Sequence, residues 1–253
     1  MIKVKLISII CFCVLLIACS NNEPEENQNE INEEHPPEEN VHENEGEPDN
    51  PTGDGTEIEE QEPEDPSISR LVNKENHLES DYAPTDLVTL EVPTVLEDPE
   101  INQLREPAAK ALTDMFTAAL DNGLVLHARS GYRSYQTQDA LFNRYVSQNG
   151  EEAANRFSAR PGQSEHQTGL AIDITSESVN YLLKEEFGET AEGMWLADHA
   201  HTFGFILRFP EDKEDITGYL YEPWHFRYLG QELATDVFNS GLTYEEYLEQ
   251  GES

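Results

Sequence analysis

The stretch SEHQTGLAIDIT, residues 164–175, combines the pattern of a β-strand with two potential metal ligands. Its second half alternates as a strand does, with Leu170 and Ile172 on one face and Asp173 on the other. His166 precedes Asp173 by seven positions, and neither residue is needed to build a loop or a strand. The pair suggests a metal site, provided that another part of the chain supplies a third ligand.

The stretch YEPWHFRY, residues 221–228, supplies a candidate third ligand in His225, with Glu222 three residues before it. Two histidines and one carboxylate that leave a fourth position open are a common arrangement in catalytic zinc sites. A carboxylate that is not a ligand, here Glu222, can take a proton from water at such a site. Spacing alone leaves other interpretations open, because a histidine in an aromatic strand is often a core residue and an aspartate after isoleucine often belongs to a turn.

Around these motifs, the hydrophobic pattern indicates helices and short strands without a regular strand–helix–strand alternation. The sequence therefore predicts an α+β fold, in which a small, mainly antiparallel sheet is flanked by helices. A proline-rich segment at residues 82–100 is expected to be an extended arm. Helices are predicted from Glu106 to the stop at Asn122-Gly123 and over residues 136–148, 178–187, 191–202, 231–239 and 243–250, and strands at LVLHARS, GLAIDIT, FGFILRF and WHFRY.

The N-terminus has the features of an export signal. Lys3 and Lys5 precede an apolar run of thirteen residues, which is too short to span a bilayer and is typical of a signal peptide. The run ends in LIAC, which resembles the lipobox of bacterial lipoproteins and implies cleavage before Cys19 and lipidation of its sulfur. We therefore expect residues 1–18 to be a lipoprotein signal peptide and the mature protein to be lipid-anchored at the extracytoplasmic face of the cell membrane. A plain signal peptide with an incidental cysteine is the alternative.

Cysteine usage limits the chemistry that the folded part can perform. Cys11 and Cys13 lie within the predicted signal peptide, so Cys19 would be the only thiol left after cleavage. The folded part would then contain neither a disulfide nor a thiol nucleophile.

The charge distribution divides the remaining chain into a linker and a domain. Residues 20–66 contain 19 acidic and no basic residues, so we expect residues 19–66 to be a disordered, lipid-anchored linker. The predicted domain, residues 67–253 with a core at about 87–242, is also acidic, with 33 acidic and 13 basic residues. This balance argues against nucleic acid as a partner, because phosphate binding requires clustered Lys and Arg. We expect the domain to be a monomer.

Three stretches resemble the successive motifs of the VanY-type zinc D-alanyl-D-alanine carboxypeptidases and their L,D-carboxypeptidase relatives. They are SGYRSYQTQ (130–138), RPGQSEHQTGLAIDI (160–174) and YEPWHFRYLG (221–230). They contain the family pattern S-x-H-x-x-G-x-A-x-D followed by E-x-x-H, after a Y-R-S segment. The resemblance covers residues 87–242 approximately and says nothing about the acidic linker.

This resemblance implies a role for each matching residue. The implied zinc ligands are His166, Asp173 and His225, with Glu222 as general base and acid, Arg133 near the scissile carbonyl group, and Gln138 and Ser164 as substrate contacts. Either Arg208 or Lys213 could receive the terminal carboxylate of the substrate, and the sequence does not choose between them.

The function that the resemblance implies is that of a zinc-dependent D-alanyl-D-alanine carboxypeptidase, which hydrolyses the terminal D-alanine from peptidoglycan stem peptides at the cell surface. The alternatives are an L,D-carboxypeptidase acting on tetrapeptide stems, and a dipeptidase or wall endopeptidase on the same scaffold. A non-enzymatic lipoprotein that binds zinc or cell wall is a further alternative. Glu222 and Arg133 argue against the last, because neither is needed merely to hold zinc.

We predict that a Cys19→Ser protein leaves the membrane fraction or accumulates uncleaved, because the thioether to lipid can no longer form. Fractionation of cells, together with the size of the protein on a gel, measures both outcomes. A Cys13→Ser protein is the control, since Cys13 lies within the predicted signal peptide. Normal processing and membrane attachment of the Cys19→Ser protein would show that the lipobox interpretation is wrong.

Overall fold

The computed structural model describes residues 67–251. The predicted signal peptide, Cys19 and the acidic linker lie outside these residues, so the lipid anchor stays a prediction. Within residues 67–251, no helix combines the length and the apolar character needed to cross a membrane.

Helices, strands and short 3-10 turns alternate irregularly along the described residues, and the predicted α+β class is confirmed. The helices are α1 Glu106–Asp121, α2 Tyr135–Asn149, α3 Glu151–Phe157, α4 Ala191–His199, α5 Glu214–Thr217, α6 Gln231–Ser240 and α7 Tyr244–Gly251. The strands are β1 Leu87–Thr89, β2 Gln103–Arg105, β3 His127–Ser130, β4 Ala171–Thr175, β5 Phe205–Leu207 and β6 His225–Tyr228.

Strand β4 lies inside a four-stranded antiparallel sheet with the order β3-β4-β6-β5. The register pairs Asp173 of β4 with His225 of β6 on one side and with Ser130 of β3 on the other. A bulge between Ala128 and Ser130 shifts the end of β3 into this register. The sheet therefore brings residues that are far apart in the sequence to one point on β4.

The two faces of β4 serve different purposes. Ile172 and Ile174 are fully buried in the main core. They share it with Leu112 and Met115 of α1, which are also fully buried because the helix repeats apolar residues along one face. Burying each such side chain contributes about 1.5–3 kcal/mol. Asp173 lies between the two isoleucines in sequence and therefore points to the opposite face of the strand.

The helix predicted over residues 178–187 is wrong. Only two short 3-10 turns form in this region, at Glu177–Val179 and Glu185–Glu189. Asn180 and Tyr181 lie between them with φ angles of 55° and 58°, a left-handed conformation that a right-handed helix cannot continue through. The hydrophobic pattern of this segment therefore reflects burial of single side chains and not one face of a helix.

Four short elements were not predicted from the sequence: α3, α5, β1 and β2. Helix α3 is short, although Glu151 and Glu152 in its first turn and Arg156 in its last turn complement the helix dipole and could have indicated it. The segment expected to be an extended arm contains β1, which pairs antiparallel with β2 in a separate two-stranded sheet.

Four buried charged side chains form an ion network beside the central sheet. Arg208 donates to Glu165 Oε1 at 2.8 Å and to both carboxylate oxygens of Glu245 in α7. Arg227 of β6 donates to the same Glu165 oxygen at 3.0 Å and to the carbonyl oxygen of Ile68 at 2.8 Å. Buried charges are costly unless they are paired and hydrogen-bonded, and each guanidinium here meets a carboxylate. The network joins α7 and the segment around Ile68 to the sheet.

We predict that Arg208→Leu lowers the free energy of unfolding by about 3–5 kcal/mol, because Glu245 loses its guanidinium partner and Glu165 keeps only one. Arg156→Leu is the matched control, since Arg156 pairs with Glu214 at the surface, where an ion pair contributes about 0–1 kcal/mol. Urea denaturation of both variants measures the difference. Equal losses in the two variants would contradict a structural role for the network.

Candidate metal centre

The side chains of His166, Asp173 and His225 meet at the middle of β4. One potential ligand atom from each residue lies within 4.8 Å of the other two, and all three residues are buried. His166 comes from the 3-10 turn Glu165–Thr168, which precedes β4, and His225 is the first residue of β6. The two motifs that the sequence analysis connected are therefore adjacent in space.

Gly169 carries the chain from the 3-10 turn into β4. Its φ angle of 68° is left-handed, and a Cβ atom at this position would lie 2.8 Å from the side chain of Leu87. Its carbonyl oxygen accepts a hydrogen bond from Arg105 N at 2.8 Å, which fixes the turn against β2. A glycine is therefore needed here, and this close approach sets the position of His166 relative to Asp173.

Hydrogen bonds orient both imidazole rings. His166 Nδ1 lies 2.7 Å from the carbonyl oxygen of Gly131, and His225 Nε2 lies 3.3 Å from Glu165 Oε2. Because a carbonyl oxygen and a carboxylate can only accept, these two ring nitrogens carry the protons. When the two rings are neutral, the lone pairs of His166 Nε2 and His225 Nδ1 are left for a metal ion.

The carboxylate of Asp173 completes the set of ligands. Its Oδ1 atom lies 3.4 Å from His166 Nε2 and 3.3 Å from His225 Nδ1. This oxygen is buried and has no hydrogen-bond partner among the described residues. A buried carboxylate oxygen without a donor is costly, and a cation between these three atoms would satisfy it. The donor set of two imidazoles and one carboxylate fits zinc.

The pKa values of the three residues are shifted by their burial and by one another. Burial and the charge of Arg133 lower the pKa of His166 to about 4, so its ring is neutral at neutral pH, as metal binding requires. Burial would also lower the pKa of His225, but the carboxylates of Asp173 and Glu165 outweigh it and raise that pKa to about 9. Burial would raise the pKa of Asp173, but the two histidines outweigh it and hold the pKa well below its usual range.

Glu222 lies beside this cluster without belonging to it. Its Oε2 atom is 3.7 Å from His225 Nδ1, and the residue is 8% exposed. Burial raises its pKa to about 8; the charge of His225 opposes this shift and that of Asp173 adds to it. Its carboxyl group can therefore both hold and release a proton near neutral pH.

Arg133 lies on the opposite side of Asp173. Its Nη1 atom is 3.9 Å from Asp173 Oδ2 and donates to Ser130 Oγ at 3.3 Å. Its backbone N–H donates to the carbonyl oxygen of His166 at 3.2 Å, which ties the segment before α2 to the ligand turn. Arg133, Glu222 and the three potential ligands all line one open cleft of about 1020 Å³.

The other predicted site residues have different positions. Ser164 is buried and lines a small cavity of about 40 Å³ that also touches His166 and Glu222. Gln138 does not line the cleft; its amide donates to the carbonyl oxygen of Ala159 at 2.6 Å. The prediction of Gln138 as a substrate contact therefore has no support from the position of its side chain.

Neither candidate receptor for the substrate carboxylate lines the cleft. Arg208 is 1% exposed and its guanidinium is taken up by Glu165 and Glu245. Lys213 bonds both carboxylate oxygens of Glu246 at 3.1 Å. The suggestion that either residue receives the terminal carboxylate is therefore wrong for the arrangement seen here.

Glu165 is the functional residue that the sequence analysis missed. It orients His225 and is itself held by Arg208 and Arg227. Its position directly before His166 was a weak signal, because a charged residue next to a ligand is usually solvated. Nothing local in the sequence indicates that both arginine partners come from other strands and loops.

A buried carboxyl group that can carry a proton, next to three potential metal ligands and an arginine in an open cleft, is the arrangement of metal-dependent peptide hydrolases. The class that the fold and the site define is therefore an α+β peptidase with a candidate metal centre. The chain belongs to the VanY family, described as D-alanyl-D-alanine carboxypeptidase, which matches residues 101–231.

The names and sequences of individual relatives are consistent with membership in the VanY family. The YodJ protein of Bacillus subtilis (strain 168) is 48% identical over 185 residues, which are 73% of this chain and 68% of YodJ. A D-alanyl-D-alanine carboxypeptidase of Enterococcus faecalis (strain ATCC 700802 / V583) is 34% identical over 193 residues, 70% of this chain and 64% of that protein. The chain thus spans about two thirds of the length of these two relatives.

Solved structures of similar proteins include enzymes of both bond preferences. The LdcB LD-carboxypeptidase has a TM-score of 0.68 and 49% identity, covering 71% of this chain and 84% of LdcB. A mutant of the VanY D,D-pentapeptidase from a VanB-type resistance cassette, in complex with Zn(II), has a TM-score of 0.60 and 34% identity. That alignment covers 72% of this chain and 99% of the VanY chain.

We predict that the protein binds one zinc ion per chain and that His166→Ala and His225→Ala abolish tight binding. Because the pKa of His225 is raised to about 9, its proton competes with the metal below that pH, so the apparent affinity should rise from pH 6 to pH 8. Metal analysis and competition with a chromophoric chelator measure both effects. His199→Ala is the control, since His199 is exposed and stacks on Trp195. Unchanged zinc content in the two ligand variants would rule out this site.

Proposed function

We propose that the protein is a zinc-dependent carboxypeptidase that removes the terminal D-alanine from peptidoglycan stem peptides. The observation that carries the proposal is the position of Glu222, a buried carboxyl group with a raised pKa beside three potential zinc ligands. Membership in the VanY family supports the substrate class. A relative solved as a complex with D-alanine-D-alanine, 33% identical to this chain, supports it further.

Zinc would be held by His166 Nε2, His225 Nδ1 and the carboxylate of Asp173. When bound, it would supply a Lewis acid that polarises the scissile carbonyl group and makes water more acidic. The solved VanY relative contains Zn(II), which supports zinc over other divalent ions. The remaining steps depend on side chains of this chain.

Glu222 would carry the proton from water to the leaving amine. Its pKa of about 8 is set mainly by burial, and a cation held by the adjacent ligands would lower it. The carboxylate form would then be present at neutral pH and could accept a proton from water. Donating that proton to the nitrogen of the scissile bond completes the transfer, and such catalysis typically contributes about 100- to 10,000-fold.

Arg133 would stabilise the negative charge that develops on the carbonyl oxygen. Its guanidinium has five N–H donors, of which the described contacts to Ser130 and Asp173 occupy only Nη1. Its Nε atom is buried, which leaves the Nη2 donors for a substrate in the cleft that Arg133 lines. A well-aimed donor to such an oxyanion contributes about 3 kcal/mol.

The first candidate for the hydrolysed bond is the L,D bond that precedes the terminal D-alanine of a tetrapeptide stem. Identity to the LdcB LD-carboxypeptidase is 49%, against 34% for the VanY D,D-pentapeptidase. Besides Glu222, four glutamates line the wide cleft and suit the amino group of a lysine or diaminopimelate side chain at the penultimate position: Glu185, Glu186, Glu189 and Glu211. Hydrolysis of the D-Ala-D-Ala bond of pentapeptide stems is the second candidate.

The proposed location is the extracytoplasmic face of the membrane. The lipobox-like LIAC segment and the acidic linker support it, because an anchored, extended linker would let the domain reach nearby wall peptides. The dipeptidase alternative has support from a relative in Enterococcus gallinarum, 34% identical and named as a bifunctional D-Ala-D-Ala dipeptidase and carboxypeptidase. The amino acid or dipeptide that is released separates these activities.

We predict that Glu222→Gln keeps zinc binding but slows hydrolysis by at least about 100-fold, because the amide has the same shape and cannot accept a proton. Arg133→Lys should also slow turnover, since a point charge replaces a planar donor with two prongs. Release of D-alanine from tetrapeptide and pentapeptide muropeptides by the zinc-loaded protein measures both rates. His199→Ala is the control with expected normal activity.

Two results would contradict the proposal. Full activity of Glu222→Gln would remove Glu222 from the proton transfer. Failure of the zinc-loaded protein to shorten either muropeptide would exclude the carboxypeptidase function and leave the endopeptidase and binding alternatives.

Substrates with an amidated C-terminus should be rejected.

A further inference from the structure

A second depression continues from the metal centre past Arg133 and Asp173. It has a volume of about 460 Å³ and shares Leu141, Tyr145 and Leu183 with the main cleft. We call it the arginine groove, defined by Arg129, Arg133, Arg144, Leu96, Ile101 and Leu183. It is far larger than the cavity of about 40 Å³ next to Ser164, which suits a short side chain such as that of alanine.

Two arginines of the groove have no carboxylate partner. Among residues 67–251, neither Arg129 nor Arg144 forms an ion pair or a side-chain hydrogen bond, although Arg144 lies 5.9 Å from the ring centre of Tyr145. The Nε atom of Arg129 is buried and lacks any partner. The surroundings make this unusual, because the chain from Ser67 onward has 33 acidic residues for 13 basic ones. A ligand whose acceptor reaches this donor would satisfy it, and the exposed guanidinium of Arg144 is free to contact the same ligand.

The carboxylates near the groove are already engaged. Asp173 is the only acidic residue that lines it, and Asp173 faces the two histidines of the metal centre. Glu100 lies nearby, but its two oxygens accept from Ser134 N at 2.6 Å and from Thr137 Oγ1 at 2.8 Å. Arg133 faces Asp173, whereas Arg129 and Arg144 present positive charge to the groove that no described carboxylate pairs with.

We propose that the arginine groove binds a free carboxylate of the substrate on the acyl side of the scissile bond. This rests on the proposed function. In a stem peptide, the α-carboxylate of a γ-linked D-glutamyl residue is such a group. Guanidinium groups match a carboxylate by paired hydrogen bonds, and the apolar walls formed by Leu96, Ile101 and Leu183 would strengthen the contact by excluding water. The groove would thus distinguish a carboxylate from a carboxamide at this position.

Two tetrapeptides that differ in one group test this subsite. One carries the free D-glutamyl carboxylate and the other carries the corresponding carboxamide, and both end in the same D-alanine carboxylate. The zinc-loaded wild-type protein should have the lower KM for the carboxylate peptide. Arg129→Gln and Arg144→Gln should each raise that KM about tenfold, and far less for the carboxamide peptide. Arg156→Gln is the matched control, since it removes one exposed positive charge outside the groove.

The salt dependence provides a second measurement. Added NaCl should raise KM for the carboxylate peptide more than for the carboxamide peptide, because only the first interaction is between opposite charges. Equal increases in KM for both peptides in Arg129→Gln and Arg144→Gln would overturn the proposal. That result is expected if the groove holds the terminal carboxylate, which both peptides share. Equal KM values for the two peptides in the wild-type protein would overturn it as well.

Binding separates this proposal from the proposed function. Calorimetric titration of the two peptides into zinc-loaded Glu222→Gln protein makes the same comparison without hydrolysis. If the wild-type protein releases no D-alanine, but the carboxylate peptide binds about tenfold more tightly and loses this advantage in Arg144→Gln/Glu222→Gln, the groove stands and the proposed hydrolysis fails. If both peptides bind equally, the groove proposal fails whatever the enzyme activity.

Discussion

The pairing of Asp173 with His225 across β4 and β6 is the constraint on which the rest of the structure depends. Antiparallel register places these two side chains next to each other, and the turn closed by Gly169 adds His166. A shift by one residue would turn Asp173 into the apolar core and expose Ile172, at a cost of several kcal/mol. The hydrophobic core on one face of β4 therefore maintains the geometry of the candidate metal centre on the other.

The buried ion network extends this constraint to the ends of the domain. Glu165 receives hydrogen bonds from Arg208 and Arg227 and still accepts from His225 Nε2. Such a network does not make the fold more stable than an apolar core of equal volume would. The network orients the His225 ring, because a carboxylate fixed by two guanidinium groups holds this ring with Nδ1 toward Asp173.

Features encoded within a few residues could be predicted from the sequence, and features that depend on distant partners could not. The helical spacing in α1 and the capping box before α7, in which Thr243 and Glu246 exchange backbone hydrogen bonds, were both visible in short stretches. The candidate ligands were visible because each lies in a compact motif. Glu165 and Arg208 are 43 positions apart, and no local pattern connects them.

The same distinction explains the errors. The pattern at residues 178–187 fits a helix, but the left-handed residues Asn180 and Tyr181 interrupt it, and neither is a glycine that would have signalled the break. Arg208 was considered for substrate binding because it lies near the third motif in sequence. Its burial against two carboxylates depends on the packing of α7, which lies more than thirty residues further along the chain. Proximity in sequence was a poor guide to which arginine faces the cleft.

The distribution of charge within the cleft would give the proposed site its selectivity in an otherwise acidic protein. Formal net charge is −37, so an anionic peptide is repelled at long range. At physiological ionic strength, however, exposed charges act over about 8 Å, so the groups lining the cleft decide what binds there. Glutamates line the main cleft, and unpaired Arg129 and Arg144 line the groove that continues from it. A ligand carrying one amino group and one carboxylate would satisfy both regions at once, whereas one with a single type of charge would satisfy only one. Under the proposed function, the cleft would therefore favour a peptide with alternating charges over a simple anion or cation.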